Sequence, residues 1–127
     1  MERFLWVCLA GGVGSGARYL IGLWASERYA TTFPLGTLVV NLLGCFLMGF
    51  VAALALGLPS FPPTLRLALT TGFMGGLTTY SAFNFETTRI LSDGATGTAL
   101  LNVGVTLVGC FLTGLGGLAL GRLIAPS

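Results

Sequence analysis

The sequence contains no histidine and no lysine, and charge of either sign is scarce: six arginines and four acids in 127 residues, or 8%. An ordinary soluble domain is roughly 25% charged. A soluble chain of this length would expose a large share of its surface and need charge to cover it. Losing histidine removes the commonest general base and metal ligand, and losing lysine removes the usual grip on phosphate. Enzymatic chemistry therefore starts with few tools. The three cysteines, Cys8, Cys45 and Cys110, all lie in apolar runs, and their spacing fits neither a zinc site nor a disulfide framework. They read as small apolar packing residues.

What is present is hydrophobic: 54% of the residues, with twenty glycines. Four segments are long enough to cross about 30 Å of hydrocarbon, which takes about 20 helical residues. They cover 4–24, 33–56, 64–91 and 97–124. Pro34 is expected at the first helical position of the second, and the Pro-rich stretch 57–63 ends that segment. Apart from Arg18, every charge falls near a chain or helix end. The first segment lacks a convincing cleavage site, so it reads as a retained helix and not as a signal peptide. The expected architecture is an all-α integral membrane protein, with residues 1–127 as a single four-helix domain. Glycines four apart (Gly12 with Gly16, Gly72 with Gly76, Gly117 with Gly121) predict close helix packing.

With four spans, Arg3, Arg66 and Arg122 lie on one face, while Arg28, Arg89 and the nearer Arg18 belong to the other. Three arginines against three give the positive-inside rule nothing to act on. Insertion in both orientations, with pairing as an antiparallel dimer, follows as an expectation.

The third segment is the unusual one. Gly75 and Gly76, followed by the β-branched Thr78 and Thr79, are poor helix material. A helix broken at mid-membrane leaves carbonyls that protein, water or an ion must satisfy, and such breaks can hold sodium. A flexible kink would fit the same pattern. Beyond it, Tyr80 and Phe83 share a helix face with Asn84 and Thr87. Polar stripes recur in the second segment (Thr37, Asn41) and in the fourth (Asn102, Thr106, Thr113). Polar side chains facing lipid are costly, so these stripes are expected to face one another or water. Asn41 stands out because nothing in the sequence calls for an amide there. Hydroxyls, amides and electropositive ring edges suit a small anion, whereas a cation pathway more naturally carries acidic rings.

Three runs carry a resemblance: Gly11–Tyr19, Gly36–Phe46 and Gly75–Phe83. In order and on these segments, they resemble the signatures of the Fluc (CrcB-like) fluoride channels. The resemblance implies an antiparallel, dual-topology homodimer in a bacterial inner membrane, with two pores and a structural sodium ion at the centre of the interface. It places that sodium on the backbone carbonyls of Gly75 and Thr78. It places Asn41, Tyr80 and Phe83 on the fluoride path, with Ser81 and Thr113 as candidates for a polar track and Arg18 drawing anions toward the pore. Tyr80 departs from the family's usual phenylalanine. The implied activity is passive, selective fluoride export. The competing reading is a small four-helix proton-coupled multidrug exporter. Such proteins need an acid within the first helix, and here none lies between Glu2 and Glu27. Glu86 is the remaining acidic candidate for that reading.

Overall fold

The computed structural model describes residues 1–126, which form helices joined by short turns. Helix α1 spans Glu2–Arg28 and α2 spans Leu35–Gly57. The third segment is built in pieces: α3 (Pro63–Leu67), a π-helical stretch (Ala68–Met74), α4 (Gly75–Leu77) and α5 (Tyr80–Ser92). Helix α6, Thr96–Ile124, closes the chain. Helices α1, α2 and α6 are each long and apolar enough to cross a membrane.

The helix ends follow local chemistry. α1 runs past both expected limits, with Glu2 in its first turn and Arg28 in its last, each opposing the helix dipole with the right sign. Pro34 stands one residue outside α2, not at its first position, with ψ at 67°. Its carbonyl accepts from the Leu38 amide at 3.1 Å, so it serves as the cap. Pro63 takes the first helical position of α3, where a missing N–H costs nothing. In the π-helical stretch the Thr70 hydroxyl donates to the Arg66 carbonyl at 2.8 Å, one of the side-chain bonds that disturb helix geometry.

Glycine decides how the helices pack. α2 and α6 run parallel and form the most extensive contact in the molecule. A Cβ at Gly49 would strike the Gly114 carbonyl, and one at Gly117 would strike the Phe46 carbonyl. The helix axes can come this close only because no side chain stands between them. The crossing of α1 with the third segment is similar: Gly14 lies against the Phe73 carbonyl and Gly76 against the Gly11 carbonyl. The expected pair Gly12 and Gly16 is not in this contact, since both face open space. Spacing of four identified a glycine stripe on α1, but the packed face is the one carrying Gly11 and Gly14.

Between α4 and α5 the backbone leaves helical geometry for two residues. Thr78 has φ −82° and ψ 154°, and Thr79 has φ −152° and ψ 114°. The third segment changes neighbours there. Its π-helical stretch and α4 pack mainly on α1, whereas α5 packs mainly on α6.

Candidate functional site

The site is organised by one side chain from α2. Asn41 is 7% exposed. Its Nδ2 donates to the Thr79 carbonyl at 3.1 Å, and its Oδ1 accepts from the Thr79 amide at 2.7 Å. The amide thus pairs with both backbone groups of one residue in the extended link, supplying what a helix would otherwise supply. No structural reason for an amide at position 41 was visible in the sequence, and this pair of hydrogen bonds is that reason. The Thr79 hydroxyl accepts from the Ala82 amide at 3.1 Å and caps α5, as threonine commonly does at a helix start. On the other side, the Thr78 amide and hydroxyl both reach the Met74 carbonyl at 2.9 Å and end α4. The carbonyls of Gly75, Gly76, Leu77 and Thr78 receive no backbone hydrogen bond across the link among the described residues.

Against this link lies a cavity of about 620 Å³, bounded by Asn41, Thr78, Thr79, Tyr80, Phe83 and Thr106 and walled by apolar residues of α2 and α6. Phe83 is 7% exposed and Tyr80 is 76% exposed. Their ring centroids are 5.7 Å apart with planes tilted by 59°, so they do not stack face to face.

Thr79 also borders a second cavity of about 520 Å³, which holds Arg18, Ser15 and Thr37. That space shares Gly22, Ser26, Gly36 and Thr37 with a third, of about 180 Å³, which reaches Glu86. The Thr37 hydroxyl donates to Glu86 Oε1 at 2.8 Å, while Oε2 is buried without a partner among the described residues. The order of side chains along these spaces is therefore Phe83 and Asn41, then Thr79, then Arg18 and Thr37, then Glu86.

The sequence-predicted residues divide accordingly. Asn41, Tyr80, Phe83 and Thr78 come together at the large cavity. Arg18 sits in the next one. The Ser81 hydroxyl lies 3.2 Å from that of Thr79. Thr113 is half-buried and donates to the Cys110 carbonyl of its own helix at 3.2 Å; it borders none of the three cavities. The α6 hydroxyl that does reach the large cavity is Thr106. It belongs to the polar stripe seen in the sequence, but helical spacing alone does not rank one member of a stripe above another. The same stripe joins α6 to α5: Thr106 donates to Asn102 at 3.3 Å, Asn102 to Thr87 at 2.8 Å, and Thr87 to the Phe83 carbonyl at 2.6 Å. The Thr37–Glu86 pair was missed in the sequence because its partners are 49 residues apart.

That pair yields a direct test. Thr37→Val removes the hydrogen bond to Glu86 and is expected to lower stability by about 1–3 kcal/mol, the usual cost of a polar group left unpaired. Thr37→Ser should retain most of it. Thermal unfolding of both variants in detergent would decide; equal midpoints would show that the bond contributes nothing.

Comparison with known proteins agrees with this architecture. The profile of the family described as CrcB-like protein, Camphor Resistance (CrcB), matches residues 5–118. A protein of Sorangium cellulosum named fluoride-specific ion channel FluC is 44% identical over 122 residues, covering 96% of each chain. The protein of that name from Citrifermentans bemidjiense is 46% identical over 110 residues, covering 87% of this chain and 89% of its own. Another, from Anaeromyxobacter sp. strain K, is 43% identical over 125 residues, or 98% and 99%. With three membrane-length helices, a link pinned by Asn41 and matches over nearly its whole length, this chain belongs to the CrcB-like family.

Proposed function

We propose that this chain is a fluoride-selective ion channel that lets fluoride leave the cell passively; its relatives are named fluoride-specific ion channels. The observation that carries the reading is the Asn41–Thr79 clamp, which fixes Tyr80 and Phe83 at the wall of the large cavity. Fluoride is small and strongly hydrated, so a pore must replace its water with donors. Ring edges carry partial positive charge. Beside Phe83 and Tyr80 stands Asn41, which has a second N–H beyond the one given to Thr79, and no carboxylate among the described residues borders this cavity to repel an anion. Arg18, in the adjoining cavity, raises the local anion concentration by its field. Ser81, beside the Thr79 hydroxyl, and Thr113 are assigned to the polar track on the family resemblance alone.

In this reading residues 63–92 also cross the membrane, with the Thr78–Thr79 link at mid-depth, and the protein is multi-pass in a bacterial inner membrane. Its relatives named above are bacterial. Two antiparallel copies form the dimer with two pores, a reading supported by the balanced arginines and by the exposure of Tyr80 and Phe111 beside the large cavity. A sodium ion would be held at the centre by the carbonyls of Gly75 and Thr78. Those groups fit the ion, being oxygen donors without a backbone partner across the link, the kind of group that binds sodium at broken helices. When bound it supplies positive charge and rigidity at the interface.

The test is fluoride efflux from liposomes holding the purified protein, followed by electrode with chloride as control. Rapid fluoride loss with little chloride loss is expected. Phe83→Ile should slow it by about tenfold, since an aromatic contact of about 1.5 kcal/mol is removed. Dimeric protein releasing no fluoride would sink the proposal.

A further inference from the structure

Four of the five sulfur side chains beyond Met1 converge on the large cavity: Cys45, Cys110, Met48 and Met74. Cys8 is elsewhere, exposed on α1. The convergence follows from the close crossing of α2 and α6. A Cβ at Gly109 would meet Leu42 at 2.8 Å, and one at Gly114 would lie 3.7 Å from the Cys45 carbonyl. Cys110 stands between these two contacts on α6 and faces the same cavity as Cys45. The two thiols thus line one space, on helices that approach to backbone contact one turn away. Met48 follows Cys45 by three residues and so shares its helix face, while Met74 is 1% exposed at the cavity wall.

We propose that Cys45 and Cys110 form a two-coordinate site for a soft d10 metal ion, mercuric or cuprous in kind, with Met48 as an outer thioether contact. Soft sulfur donors select such ions over hard ones. Zinc is poorly served, because its sites are usually tetrahedral and no cluster of three or more His, Cys, Asp or Glu occurs among the described residues. Binding is an exchange of protons for metal: a mercuric ion displaces one proton from each thiol, forms two S–Hg bonds and releases two protons to water. The resulting mercuric bis-thiolate is neutral, which suits a cavity bordered by no charged side chain among the described residues. An ion held there lies in the same space as Phe83 and Thr106. If that space conducts fluoride, as proposed above, metal binding closes it.

The binding arm of the test does not depend on conduction. Reduced protein in detergent is titrated with mercuric chloride, and the ultraviolet thiolate-to-mercury absorption is read. One two-thiolate ion per chain is expected in Cys8→Ser, and the same two-thiolate band in the wild type, where the exposed Cys8 takes up further mercury without adding to it. Cys45→Ser and Cys110→Ser should each abolish the two-thiolate band and weaken binding by more than about 100-fold, beyond the loss of an outer contact. Met48→Leu should weaken it by about tenfold, the size of such a contact. Elution volume checks folding, and Cys45→Ala replaces the serine variant if that one misfolds. A band that survives loss of Cys45 or Cys110, or that needs Cys8, overturns the site. In liposomes, fluoride efflux should stop on adding mercuric chloride and return with excess dithiol, except in Cys45→Ser and Cys110→Ser. A protein that never conducts fluoride would still give the absorption result, so failure of the channel reading is distinguishable from failure of the metal site.

Discussion

Asn41→Ala is expected to abolish fluoride efflux and to destabilise the protein by about 2–6 kcal/mol, because it leaves two buried backbone groups unpaired at about 1–3 kcal/mol each. Hydrogen bonds between helices in a bilayer average only about 0.6 kcal/mol, since the separated helices find other partners. The Asn41 bonds differ in that their partners are the amide and carbonyl of Thr79, which sits in extended backbone with no helical partner to return to. Backbone left unpaired in hydrocarbon is the costlier case. Asn41→Asp separates structure from conduction. A carboxylate still accepts from the Thr79 amide but cannot donate to the Thr79 carbonyl, so stability should fall by less than in Asn41→Ala. Flux should be lost all the same, because a negative charge then faces the anion path. Thermal midpoints and efflux rates of the two variants check this. A well-folded Asn41→Asp protein with normal flux would remove the side chain from the path.

The second large effect belongs to the contact between α2 and α6. Gly117→Val is expected to prevent recovery of folded protein. Overpacking by flexible side chains costs about 1–3 kcal/mol, but here the new Cβ overlaps the backbone carbonyl of Phe46, and Phe50 N lies 3.0 Å away. Rotamer changes cannot move a backbone. Gly12→Ala, where nothing lies within 4 Å, should be neutral or stabilising by up to about 1 kcal/mol through helix propensity. Yield of monodisperse protein after size exclusion is the readout, and equal recovery of the two variants would disprove the packing account.

Particular residues show how far the sequence could be read. Hydropathy placed the helices within a few residues because each must bury its own backbone, a local requirement. The Gly75–Thr79 run marked where the third segment stops being helical, because propensity is also local. The identity of the packed glycine face on α1 was not legible: Gly12/Gly16 and Gly11/Gly14 are equally plausible by spacing, and only the partner's position separates them. Asn41 was recognised as odd, but its reason lies 38 residues away in Thr79. Thr106 and Thr37 were placed on polar stripes, but what each faces was not legible for the same reason. A threonine can satisfy itself on its own helix, so its long-range partner leaves no trace in the sequence.

The change of neighbours at Thr78 and Thr79 bears on how the chain is made. Synthesis runs from α1 onward, so when the third segment leaves the ribosome its first half meets α1 already in place, and Asn41 of α2 is waiting for the link. Helix α5 has no such host. At 13 residues it is about 20 Å long, too short to cross a bilayer alone, and its main partner α6 is not yet synthesised. Apart from α6, α5 and the link that precedes it are tied to the bundle chiefly through α2, by the Asn41–Thr79 and Thr37–Glu86 bonds.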